Sequence, residues 1–122
     1  MKAYTDIEQS KKLVELGIDV NTADMWYPPS LIKYGVVNKW LENPTIIKDI
    51  EHSKLKKEYY VPCWSLAAML NVLPEIQGGY PVISLYDNYI AYPHMSNLYT
   101  EADNLVDACV EMILKLHEQN IL

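Results

Sequence analysis

Two prolines, Pro62 and Pro74, bracket the apolar run Val61-Pro62-Cys63-Trp64-Ser65-Leu66-Ala67-Ala68-Met69-Leu70-Asn71-Val72-Leu73-Pro74. They limit any helix there to about three turns. Proline is tolerated in the first turn of a helix, where its missing N–H has no partner to lose, and it cannot continue one from inside. Leu66, Met69, Leu70 and Leu73 recur at helical spacing, so this segment is predicted as a central core helix.

Around that helix the punctuation is clear at both ends of the chain. Thr5-Asp6-Ile7-Glu8 has the form of a capping box, and the helix it opens should run to about Leu16. Gly17 then takes the left-handed closing position, with Ile18 folding back on Leu13. A short turn is expected at Asn21-Thr22-Ala23-Asp24, before Pro28-Pro29. The last helix should span about Asn104 to Glu118. Leu105, Ala108, Cys109, Met112 and Leu116 form its core stripe, and Asp107, Glu111, Lys115 and Glu118 its wet side. Leu114 falls among the polar positions with Val110 beside it, which points to self-association as a homodimer.

Gly78-Gly79 precedes a predicted β-hairpin at 80–92, turning at Asp87-Asn88. A two-residue turn there pairs Tyr86 with Tyr89, Leu85 with Ile90 and Ile83 with Tyr92. Ile83, Leu85, Ile90 and Tyr92 then face the helices, and Val82, Ser84, Tyr86, Tyr89 and Ala91 face away. A hairpin alone is marginal, so a third strand is expected from residues 31–60: Leu31 to Trp40 can form a strand, Ile46 to Tyr60 mixes helical and extended signals, and one short strand and one short helix are read there. The expectation is one α+β domain over residues 1–122, with about three main helices packed on a small antiparallel sheet.

Composition removes several function classes. The chain carries 16 acidic residues against 10 basic ones, net charge −6, and every basic residue is lysine. Binding to nucleic acid needs a basic footprint and favours arginine, so the composition argues against nucleic acid as a partner. The cluster Lys54, Lys56 and Lys57, with Lys48 nearby, is flanked by Glu51 and Glu58 and reads as a solvated face. No apolar run approaches the roughly 18 residues of a membrane span, and Met1-Lys2-Ala3-Tyr4-Thr5-Asp6 lacks a signal-peptide stretch. A cytoplasmic protein with Cys63 and Cys109 as free thiols is expected. Three scattered histidines, no Cys-x-x-Cys and no glycine-rich phosphate loop give no metal site and no cofactor to expect.

Two candidate sites follow. Cys63, placed at a helix N-terminus, would see the positive end of the dipole, which stabilises thiolate. Cys63-Trp64 entering an apolar helix superficially resembles the nucleophile helix of papain-like cysteine peptidases, though the glycine-serine context before their nucleophile is absent. That resemblance implies His94 as base and Asn97 or Asp103 as orienter. The bland alternative is a small buried residue. His52 reads as a surface residue, and His117 sits favourably near a helix C-terminus.

The second candidate is aromatic. The chain has 10 tyrosines and no phenylalanine, and seven of those tyrosines lie between Tyr59 and Tyr99. Tyr86 and Tyr89 beside the hairpin turn, with Trp64, form a candidate binding patch for an unidentified protein partner. The alternative is cross-strand packing.

Tyr60 to Leu70, Glu101 to Ile113, and the stretch from Glu8-Gln9-Ser10-Lys11-Lys12-Leu13 through Leu16-Gly17 to Thr22-Ala23-Asp24-Met25 resemble a family of small Bacteroidetes proteins of phage-related or mobile-element context. The resemblance implies a small cytoplasmic α+β domain and supplies no activity. Three functions are therefore expected in order: a non-enzymatic interaction module, a thiol hydrolase using Cys63 and His94, and an acidic surface that fills the basic site of a DNA-binding protein.

Overall fold

The computed structural model describes residues 2–30, 32–37, 39–46 and 56–122. It is an α+β fold, and it divides into two compact units. One is the contiguous stretch Tyr4–Ser65; the other combines Met1–Ala3 with Leu66–Leu122.

In the first unit, α1 spans Ile7–Glu15. Its cap is Asp6, not Thr5: the Asp6 carboxylate accepts from the Gln9 N–H at 2.8 Å, and Gln9 Oε1 accepts from the Asp6 N–H. Thr5 and Ser10 are fully buried instead. Gly17, at φ +87°, closes the helix as expected, with the Ile18 N–H donating to the Leu13 carbonyl. A 3-10 turn at Val20–Thr22 leads into β1, Met25–Tyr27.

Strand β1 lies between β4 (Thr45–Ile46) and β5 (Val61–Cys63), antiparallel to both. The helix expected to begin at Pro62 is thus corrected: Pro62 is a strand residue opposite Trp26. Within this sheet β5 is an edge, the place where a strand tolerates a residue without an N–H. The single strand expected at Leu31–Trp40 is a hairpin, β2 (Ile32–Lys33) with β3 (Val36–Val37). Its turn residues Tyr34 and Gly35 both have positive φ, the signature of a tight hairpin turn. A 3-10 turn covers Lys57–Tyr59, while the helix expected between Ile46 and Tyr60 falls largely outside the described residues. Leu13, Tyr27, Val61, Cys63 and Trp64 form the core of this unit.

The second unit contains α2 (Leu66–Val72), a sheet of β6 (Val82–Ser84), β7 (Tyr89–Ala91) and β8 (Tyr99–Glu101), and α3 (Leu105–Glu118). The sheet order is β6-β7-β8, all antiparallel, so its third strand comes from β8 and not from residues 30–60. Helix α3 is capped by Asn104, which accepts from the Asp107 N–H at 2.9 Å. Every residue of its expected stripe is buried. Val110 and Ile113 are buried as well, so Val110 contributes no association surface. Thr100 ties the sheet to this helix: its buried hydroxyl donates to the Ala108 carbonyl at 2.8 Å.

Candidate functional site

The hairpin register differs from the expected one, and the difference builds the surface. Val82 pairs with Ala91, Ile83 with Ile90 and Ser84 with Tyr89. The turn therefore holds four residues, Leu85-Tyr86-Asp87-Asn88. The shift preserves which face each strand residue occupies, because side chains alternate with a period of two. Ile90 and Tyr92 are buried, whereas Leu85, expected in the core, is 79% exposed at the turn.

The turn is held at both ends. The Ser84 hydroxyl accepts from the Asp87 N–H, and Asn88, at φ +53°, donates its amide to the Asp103 carbonyl. Asn88 also accepts from the Ala102 N–H, which fastens the turn to the segment after β8. Tyr86 is 94% exposed on this anchored loop.

Across the sheet, cross-strand partners place Val82, Ala91 and Tyr99 on one face with Ser84, Tyr89 and Glu101. Tyr89 and Tyr99 meet diagonally there, with ring centroids 5.4 Å apart and planes tilted by 31°. The Tyr99 hydroxyl donates to Glu101 Oε2 at 2.8 Å, and that bond raises the Tyr99 pKa. Cross-strand packing is real here, and it coexists with exposure: Tyr99, Val82, Tyr80, Leu85 and Tyr86 are all exposed. Tyr99 and Glu101 were missed from sequence. The sequence signal is weak, since the buried positions of Leu98-Tyr99-Thr100-Glu101 are a leucine and a threonine and show no apolar alternation.

Trp64 is not part of this surface. It is fully buried in the other unit, its indole N–H donating to Thr22 Oγ1 at 2.9 Å and its backbone N–H to Thr5 Oγ1 at 3.1 Å. Cys63 is likewise fully buried, on a strand, with its thiol 3.4 Å from the Thr5 carbonyl oxygen. It is the last residue of β5 and does not open a helix, which corrects its expected place at a helix N-terminus. Burial pushes its pKa up to about 11, against the lowering effect of hydrogen bonds from Thr5 and Tyr27. His94 belongs to the second unit; it is exposed at φ +64° and borders an open hollow of about 420 Å³ with Met95, Leu98 and Tyr99. Of the two expected orienters, Asn97 donates its amide to Gln119 Oε1, and Asp103 is exposed.

Burial also raises the Cys109 thiol to about 12 and the Tyr92 hydroxyl, which donates to the Pro74 carbonyl, to about 12. Raised values mean that the folded state holds these protons more tightly than the unfolded chain. The resulting stability is complete below pH 9 and drains as pH rises through 11 and 12. The free energy of unfolding from urea titrations should therefore fall above pH 9, by at most on the order of 1 kcal/mol per thiol per pH unit. Iodoacetamide should spare both thiols of the folded protein at neutral pH. A Cys63 that alkylates rapidly there would contradict this.

A second concavity, an open groove of about 400 Å³ in the first unit, is lined by Lys11, Trp40, Glu58, Tyr60 and Pro62 among others. Lys11 Nζ sits 4.0 Å above the Trp40 ring, whose N–H donates to the Tyr59 carbonyl. In the basic cluster, Lys57 Nζ lies 4.9 Å from the Trp26 ring centroid. Lys48, Lys54 and His52 lie outside the described residues. Among the described residues there is no group of three metal-ligating side chains and no helix long and apolar enough to cross a membrane. Comparison with protein-family models, curated proteins and solved structures gives no match to this chain.

Proposed function

We propose that this protein is a non-enzymatic binding module that engages a protein partner through the outward face and turn of the β6-β7-β8 sheet. The supporting observation is the anchored hairpin turn that leaves Leu85 79% and Tyr86 94% exposed beside the stacked Tyr89–Tyr99 pair. Large apolar side chains held out on a rigid turn cost little further ordering when a partner closes over them. Tyrosine suits this role, since its ring buries well and its hydroxyl keeps a polar contact. The likeness of both chain ends to phage-related proteins extends the proposal to a role in a mobile element. A hydrolase reading gains no support from the buried, high-pKa Cys63.

The test is photo-crosslinking in the native cell from a benzophenone side chain at position 86, with position 8 as the exposed control on α1. Discrete adducts from position 86 alone are expected. An adduct mass of twice the chain would identify the partner as a second copy. Absence of adducts at 86, or the same adducts from both positions, would refute the proposal.

A further inference from the structure

The charge of the chain is unevenly divided. The unit formed by Met1–Ala3 and Leu66–Leu122 holds two lysines and seven carboxylates, a net −5 out of the −6 of the whole chain. Both lysines are engaged: Lys2 Nζ pairs with Asp107 at 2.8 Å, and Lys115 Nζ donates to the Tyr99 carbonyl at 2.8 Å. The tyrosine face lies on this acidic unit. Glu101 is on the same sheet face as Tyr89, and Asp87 is in the turn beside Tyr86. Both carboxylates are exposed, Asp87 next to Tyr86 in the turn and Glu101 hydrogen-bonded to the Tyr99 hydroxyl.

We infer that the partner segment received by this face is cationic, with arginine or lysine side chains laid on Tyr86, Tyr89 and Tyr99 between Asp87 and Glu101. The inference rests on the binding-module reading and names the class of partner. An aromatic face attracts a cation through its ring quadrupole, and a carboxylate at its edge supplies the countercharge. Glu101 gives one oxygen to Tyr99 and keeps the other for a guanidinium or ammonium donor. The field of a unit at −5 steers basic segments in and repels phosphate backbones and anionic lipid, so a basic protein segment is the occupant.

The experiment titrates the full chain with a short alternating arginine–glycine peptide and a matched glutamine–glycine peptide, read by calorimetry and by amide shifts. The arginine peptide should bind, and shifts should centre on residues 84–89 and 99–101. The double variant Glu101→Gln with Asp87→Asn should weaken binding about tenfold, and Tyr86→Ser with Tyr99→Leu about fivefold. The control pair Glu111→Gln with Glu118→Gln makes the same charge change on exposed α3 positions and should weaken binding less than about twofold. Equal loss from both charge variants would show a diffuse field in place of a site and overturn the inference, as would no preference for the arginine peptide. If position 86 gives adducts in the cell while the arginine peptide fails to bind, the cationic specificity falls and the module reading stands. If position 86 gives none, both fall.

Discussion

Replacing Trp64 with alanine is expected to lower the free energy of unfolding by roughly 3–5 kcal/mol, the range for deleting a large buried aromatic side chain. Trp64 is fully buried, and its indole N–H is satisfied by Thr22 Oγ1. Truncation would therefore open a cavity and discard a hydrogen bond together. Trp64→Phe keeps most of the volume and should cost only about 1–2 kcal/mol, because Thr22 is exposed and can turn to water. Urea unfolding at constant slope would read the difference. A loss below about 1 kcal/mol for the alanine variant would be incompatible with a core role.

Thr5→Val should cost roughly 2–3 kcal/mol and Thr5→Ser only about 1 kcal/mol, although valine is the closer match in shape. The reason is the hydroxyl. Thr5 Oγ1 accepts from the Trp64 N–H, shares a hydrogen bond of 2.8 Å with Ser10 Oγ, and lies 3.8 Å from Cys63 Sγ. The Thr5 carbonyl accepts from the Tyr27 hydroxyl at 2.6 Å. Valine leaves a buried N–H and the Ser10 hydroxyl without their partner, which costs more than a lost methyl group. Chemical denaturation of the two variants side by side checks the order; a valine variant as stable as serine would refute it.

The same residue shows where sequence reading succeeds and where it stops. Two capping patterns overlap at the start of α1, Thr5-x-x-Glu8 and Asp6-x-x-Gln9, and both obey the rule. What separates them is that Thr5 is consumed by a buried network involving Ser10 and Trp64, residues that spacing alone does not connect to it. The bounds and stripe of helix α3 were legible because fourteen residues at 3.6-residue spacing leave little ambiguity, although Val106, Val110 and Ile113 widen the buried side beyond that stripe. Strand β5 was not, since Pro62 fits a helix start and an edge strand equally well. In the candidate site, Tyr86 and Tyr89 were legible from their position beside a turn. Trp64 was misplaced because an aromatic residue between a cysteine and a serine, two positions after Pro62, carries no sign of burial. Tyr99 and Glu101 escaped because a three-residue strand gives too short an alternation to stand out.

Residues 2 and 3 belong with a unit whose remaining members begin at Leu66. The Leu66 N–H donates to the Ala3 carbonyl, and Lys2 reaches Asp107 across 105 positions of sequence. Topologically, Tyr4–Ser65 is an insertion within a discontinuous partner. During synthesis the inserted stretch has all its own residues while the strap at Lys2–Ala3 still waits for its anchors, so closure of the outer unit is the late, high-contact-order event. Cutting the chain after Ser65 would not yield two self-sufficient halves: the downstream piece would lack its strap and leave Asp107 without that ion pair.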